Sequence, residues 1–264
     1  MNLILHNIRQ GVLLGNQSHT FGLVGKRGKG KSAIGLRICE MMSDRFSLDN
    51  VCFTSKTFLK LLNSGNLKKG DAVLFDEISV TQYARDFMSQ QNKVLNHVLT
   101  TWRSKNLFLC YTCPTLGMLD KNVRSLTDSI IEAISINRKD NTNICKFKKV
   151  RVNPLTGKIM YVFPRVKGKH HLAKPKVKQM IFNKSKFLDE YDDIRKEYAD
   201  ELSIKLEQEL LGEIEKQAKK KLTDKDIVRI AKKEKLDINN TNLIAGRFGI
   251  GRARCYRIKE IHNM

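Results

Sequence analysis

The first 165 residues predict an α/β fold with a mainly parallel sheet and an antiparallel edge hairpin. A helical linker and a small all-α domain are expected to follow. Three observations carry this expectation. Short apolar runs alternate with helix-period segments through the first 130 residues. A glycine-rich turn joins the first of these runs to the first helical stretch. Composition then changes after Arg165, where a basic, Pro-interrupted segment poor in large apolar residues begins.

Taken in order, Thr20–Val24, Asn50–Thr54, Ala72–Phe75 and Leu107–Tyr111 are short, β-branched or aromatic, and bounded by polar turns, so each reads as a strand. Lys31–Met42, Lys56–Asn63 and Gln90–Ser104 read as helices between them. Such alternation implies crossovers and a parallel sheet covered on both faces. Ile130–Ile136, Ile144–Val152 and Lys158–Pro164 are further strands. The turn signal Asn153-Pro-Leu-Thr-Gly157 makes the last two an antiparallel hairpin at the sheet edge. A long helix is expected from Phe187 to Leu222, with an apolar stripe at Tyr191, Ile194, Tyr198, Leu202, Leu206, Leu210 and Ile214. The expected divisions are 1–165, 166–222 and 223–264.

The net charge of +22 is spread over the chain. Residues 1–165 carry 25 Lys and Arg against 11 Asp and Glu, and 166–264 carry 24 against 16. Excess charge on both parts points to a polyanionic partner, DNA or RNA, because basic surfaces bind phosphate backbones by releasing counterions. Six cysteines without close even spacing do not form a secreted disulfide framework. Cys110-Tyr-Thr-Cys113 stands without a second pair, so buried thiols are expected rather than zinc ligands. No signal peptide and no membrane span of about 20 apolar residues is read. A soluble protein of the host-cell cytoplasm is expected.

The run Gly25-Lys26-Arg27-Gly28-Lys29-Gly30-Lys31-Ser32 fits G-x-x-x-x-G-K-[ST], between a strand-like approach and a helix. Glycines let successive backbone N–H groups turn inward around a phosphate, and the helix N-terminus adds partial positive charge. Lys31 would reach the terminal phosphates and Ser32 would hold Mg²⁺. The expected nucleotide-contacting stretch runs from Gly25 through Ser32 to Ala33. Asp71-Ala-Val-Leu-Phe-Asp76-Glu77 describes a buried strand ending in an acidic pair. Asp76 would take part in Mg²⁺ binding, and Glu77 would orient and polarise the attacking water. ATP and Mg²⁺ are the expected cofactors.

The order of Gly25–Ser32, Asp76-Glu77 and Arg103-Ser-Lys-Asn106 before the strand Leu107–Tyr111 resembles the HerA/FtsK superfamily of P-loop NTPases that pump DNA. Within it, the compact viral and plasmid versions are most similar, including the cytoplasmic part of zonula-occludens-toxin-like phage assembly proteins. The resemblance covers roughly residues 18–130. It implies a P-loop ATPase domain in which ATP hydrolysis is coupled to movement of DNA, usually by a homo-oligomeric ring. It also implies that Arg103, or alternatively Arg124, reaches a neighbouring subunit's nucleotide. Where members often end the strand after the acidic pair in a Gln that senses the γ-phosphate, this chain departs from the pattern with Thr112-Cys113-Pro114. Thr112 is a nucleotide-contacting candidate that can donate one hydrogen bond, with a shorter reach. Lys26 leaves a partition-type ATPase as a second reading of the loop.

Residues 242–258 have the spacing of a helix-turn-helix, with small Ala245 at a helix crossing and Gly249 at the tight turn. Ile244, Phe248, Ile250, Cys255 and Ile258 would fill its core. Arg252, Arg254, Tyr256, Arg257 and Lys259 would then face DNA. The leading expectation is a Mg²⁺-dependent ATPase acting on DNA for a virus or plasmid-like element. A nucleotide-regulated DNA-binding switch and a phage assembly ATPase are the alternatives.

Overall fold

The computed structural model describes residues 3–76, 93–94, 96–101, 105–165, 177–221 and 223–263. The chain forms two compact units, Met1–Tyr191 and Asp192–Met264.

In the first unit the strands are β1 (His19–Val24), β2 (Val51–Cys52), β3 (Ala72–Phe75), β4 (Phe108–Cys113), β5 (Ser129–Asn137), β6 (Thr142–Val152), β7 (Ile159–Val162) and β8 (Met180–Asn183). Their order in the sheet is β2-β3-β4-β1-β5-β6-β7, with β8 also paired to β6. The pairs from β2 to β5 are parallel, whereas β6 runs antiparallel to β5, β7 and β8. The fold is therefore mixed α/β, mostly parallel, with an antiparallel flank.

Side-chain alternation on the strands sorts two apolar layers. On β4, Phe108 and Cys110 join one layer with α1 (Leu3–Leu14) and α2 (Lys31–Met42), through residues such as Leu5, Val12, Ile34 and Leu36. Leu107, Leu109, Tyr111 and Cys113 join the other, with Phe58 and Leu62 of α3 (Ser55–Asn63), Val98, Leu99, and Val123 of α4 (Lys121–Leu126). Both faces of the sheet are covered, as parallel strands require. β1 lies in the middle, so the turn at its carboxyl end opens where α2 leaves the sheet. Gly35 lets α2 sit close, since a Cβ there would come within 2.9 Å of Leu74 Cδ1 on β3.

The expected β6–β7 hairpin forms, and its turn is closed by Gly157 (φ 62°), whose N–H donates to Asn153 O at 2.8 Å. The helix expected at Gln90–Ser104 is seen at 93–94 and 96–101, and the rest of that stretch lies outside the described residues. Two elements were not anticipated. The first is α1, whose Ile4, Leu5, Ile8 and Val12 pack into the core. The second is β8, which lies within the segment expected to be linker and places Met180 and Phe182 in the same core. The first unit therefore extends past 165, through the first turn of α5 (Leu188–Lys221).

The second unit holds the rest of α5 and three short helices, α6 (Asp224–Lys233), α7 (Thr241–Phe248) and α8 (Arg252–Asn263). Their core is Ile227, Val228, Ala231, Ile238, Ile244, Phe248, Ile250, Cys255 and Ile258. A capping box starts α6: Thr223 Oγ1 accepts from Asp226 N, and Asp226 Oδ2 accepts from Thr223 N. On α5 the expected apolar stripe is fully buried at Tyr191, half-buried at Tyr198 and Leu202, and exposed at Ile194.

Candidate functional site

β1 ends at Val24, and Gly25–Ser32 turns the chain into α2. The Gly25 N–H donates to Pro114 O at 3.2 Å, which ties the start of the turn to the end of β4. Lys26, Arg27, Gly28 and Lys29 are exposed at its crest, and Ala33 is buried. Gly30 takes φ 81° as the N-cap of α2, and a Cβ there would overlap Asn143 Oδ1 of β6. Positive φ and close approach together require glycine at this position. No side chain caps α2, and its first turn carries no acidic residue. A helix start of this kind presents amides and partial positive charge to an anion.

The Lys31 ammonium donates to the carbonyls of Gly25 (2.8 Å) and Lys26 (3.2 Å), so the side chain folds back over the turn. Ser32 Oγ donates to Asp76, at 3.0 Å from Oδ2 and 3.2 Å from Oδ1. Asp76 follows β3 and is 1% exposed, and its N–H donates to Cys52 O. The phosphate-loop motif and the first acid of the Asp76-Glu77 pair, 44 residues apart, therefore meet. Asp76 accepts two further hydroxyls: Thr112 Oγ1 donates to Oδ1 at 2.6 Å, and the Tyr191 hydroxyl donates to Oδ2. Thr112, at the end of β4, lies between the loop strand β1 and the acidic strand β3, because β4 pairs with both. Its hydroxyl turns toward the carboxylate.

This donor set fits Mg²⁺. Mg²⁺ is held by one or two carboxylates and a hydroxyl together with substrate phosphates, rather than by an all-protein cage. Among the described residues no group of three or more His, Cys, Asp or Glu side chains gathers as a metal centre. While Ser32 donates its proton to Asp76, its oxygen lone pairs face elsewhere and could take a cation. Glu77 and Arg103 lie outside the described residues. Arg124 on α4 is half-buried, and its Nε is enclosed without a hydrogen-bond partner.

Tyr191 is the site residue that sequence reasoning missed. It reads as one apolar member of the α5 stripe, and nothing in its neighbourhood ties it to a carboxylate 115 positions away. The available signal is a tyrosine at the amino-terminal end of a stripe that is otherwise Ile and Leu apart from Tyr198, since a buried phenol needs a hydrogen-bond partner. The cysteines are free, buried thiols. Burial pushes Cys52 and Cys145 up to about 12. Cys110 and Cys113 enter opposite layers of the sheet and cannot converge on one metal.

In the second unit Gly249 takes φ 62°, the left-handed conformation expected of the turn after α7. Arg252, Tyr256 and Arg257 are exposed on α8, and Lys259 is half-buried. Arg254 differs from expectation: its guanidinium pairs with Asp224 at 2.6 Å, linking α8 to the start of α6. It is held within the helical unit, and the basic surface of α8 rests on the other four residues.

No protein-family model matches the chain, and no curated protein matches it in sequence. Among solved structures it is similar to the N-terminal domain of zonular occludens toxin from Neisseria meningitidis. That similarity is 13% identity over 57% of this chain and 96% of that one, with a TM-score of 0.32. It is also similar to a genome packaging NTPase from Sulfolobus turreted icosahedral virus 2, solved with ATPγS. There the identity is 11%, over 57% of this chain and 98% of that one, with a TM-score of 0.28. Both similarities are shallow, and the chemistry of the site rests on the residues described above.

Proposed function

We propose that the chain is a Mg²⁺-dependent ATPase that acts on DNA for a virus or plasmid-like element, in translocation, packaging, transfer or replication. The observation that carries this reading is the Ser32–Asp76 hydrogen bond. It closes a glycine-rich helix start onto a buried carboxylate at a strand end, the pair that a metal–triphosphate complex requires. Gly25–Ser32 would wrap the β- and γ-phosphates with backbone N–H groups, and Lys31 would exchange a loop carbonyl for a terminal phosphate oxygen. Ser32 and Asp76 would hold Mg²⁺, which when bound neutralises charge developing on the phosphates. Glu77, next along the chain, would align water for attack on the γ-phosphorus. Arg103 or Arg124 would act across a subunit boundary in a homo-oligomer.

The DNA part of the reading is supported by the +22 charge and by the exposed Arg252, Tyr256 and Arg257 of α8. The second reading, a nucleotide-regulated DNA-binding switch, is favoured by Thr112. Its hydroxyl donates to Asp76 Oδ1, and its reach toward a γ-phosphate is shorter than that of the Gln often found at this position, which weakens the coupling of hydrolysis to movement.

ATP turnover measured with duplex DNA, with single-stranded DNA and with neither tests these readings. Lys31→Ala should abolish hydrolysis, and retained turnover would mean the loop serves another purpose. A motor shows DNA-stimulated hydrolysis with strand displacement or roadblock removal. Nucleotide-dependent DNA retention without either selects the switch. Hydrolysis that DNA fails to stimulate even at low salt selects an assembly ATPase.

A further inference from the structure

Tyr191 closes the first unit and lies in the first turn of α5. Its side chain is 1% exposed, and its ring leans on Phe53 with centroids 5.8 Å apart. Just before it, Phe187 meets Phe46 edge-on at 5.5 Å, and Leu188 packs into the same apolar layer. Residues 192–197 are exposed. The first turn of α5 is thus packed into the first unit, and the Tyr191 hydroxyl ends on Asp76 Oδ2.

Packing alone accounts for the ring and leaves the hydroxyl unexplained, because phenylalanine would fill the same apolar space. An ionised carboxylate offers about four acceptor positions. Thr112 takes one on Oδ1, Tyr191 takes one on Oδ2, and Ser32 lies between both oxygens. Three hydroxyls from three separate elements therefore fix the carboxylate plane and leave roughly one position for a further donor, such as metal-bound water. Two of these hydroxyls belong to the loop–helix junction and the sheet. The third belongs to the helix that continues into the second unit.

We propose that Tyr191 is a positioning residue for Asp76, and that through it metal–nucleotide occupancy is coupled to the docking of the first turn of α5. The proposal rests on reading Gly25–Ser32 and Asp76 as the nucleotide site. A fixed Asp76 gives Tyr191 a fixed acceptor, so loading the site tightens the first turn of α5. By the reciprocity of linked equilibria, a docked α5 favours the loaded site.

The test uses the full chain, ATPγS and Mg²⁺, with two readouts independent of turnover. In the unaltered protein, amide hydrogen exchange across 188–194 should slow when Mg²⁺·ATPγS is added. Tyr191→Phe keeps the ring and removes the hydroxyl. Its calorimetric affinity for ATPγS in EDTA should equal that of the unaltered protein, while the affinity gained on adding Mg²⁺ should fall by about tenfold, the scale of a hydrogen bond to a charged group. The slowing of exchange should be lost with it. A purely structural tyrosine would alter both affinities or neither. Equal Mg²⁺ gain and equal slowing in the two proteins overturn the coupling alone. An unaltered protein that does not bind ATPγS overturns the site and the coupling together. Should Tyr191→Phe fail to fold by circular dichroism, exchange in the unaltered protein decides: slowing at 188–194 supports the proposal, and unchanged or faster exchange overturns it.

Discussion

His19 begins β1, with Nε2 3.0 Å from Ser129 Oγ. Burial, with the Lys149 charge as a lesser cause, lowers its pKa to about 3. The unfolded imidazole titrates near 6.5. Between these values the unfolded chain binds a proton that the folded chain refuses, so stability present above pH 6.5 is lost as pH falls toward 3. Because His19 retains partial exposure, the expected loss between pH 7 and pH 5 is about 1 kcal/mol. Urea unfolding at the two pH values should show it, and His19→Gln should flatten the difference; an undiminished difference would assign the acid sensitivity elsewhere. Gly30 answers to geometry instead of charge. Its φ of 81° and the overlap a Cβ would make with Asn143 mean that Gly30→Ala should strain the loop by about 1–2 kcal/mol. Nucleotide affinity, read by calorimetry, should fall more than the melting temperature does. Both residues show what a sequence motif leaves out. The glycine is legible as part of G-x-x-x-x-G-K-[ST], but its partner Asn143 lies on β6, 113 positions later.

Elements with strong local signals were the legible ones. Ala72–Phe75 and Lys31–Met42 coincide with β3 and α2, because four consecutive apolar residues and a helix-period run after a glycine turn each have one sensible reading. Strand β8 and helix α1 were not read. Met180–Asn183 is four residues long and follows a basic stretch, so only pairing with β6 makes it a strand. In the second unit the local signals are caps and turns. Thr223→Ala removes the half of the capping box in which Thr223 Oγ1 accepts from Asp226 N, keeps the backbone half, and should destabilise α6 by about 1 kcal/mol. Gly249→Ala forces a Cβ into φ 62° and should cost about 1 kcal/mol at the α7–α8 turn. Hydrogen exchange over 224–263 in the full chain measures both, and protection equal to the unaltered protein would mean that the three-helix core alone holds the unit.

Across the whole molecule, charge and partition matter most. A chain carrying +22 should bind polyanions from more than one surface, and the first unit alone accounts for a large share of the basic residues. Truncation after Lys221 should therefore weaken duplex affinity without abolishing it, while leaving ATP turnover in the absence of DNA unchanged. Fluorescence anisotropy at two salt concentrations and a phosphate-release assay measure the two quantities. Unaltered affinity would move the DNA contacts to the first unit. The linear order of residues was enough to announce a glycine-rich turn between strand and helix, an acidic strand end, alternating α/β layers and a basic helical tail, because each is written in contiguous spacing that backbone geometry enforces locally. Folding was needed to show that Ser32, Asp76, Thr112 and Tyr191 share one hydrogen-bond cluster, and that Arg254 turns inward to Asp224. These contacts join distant parts of the chain, where packing of the sheet, its helices and their charges selects the partner.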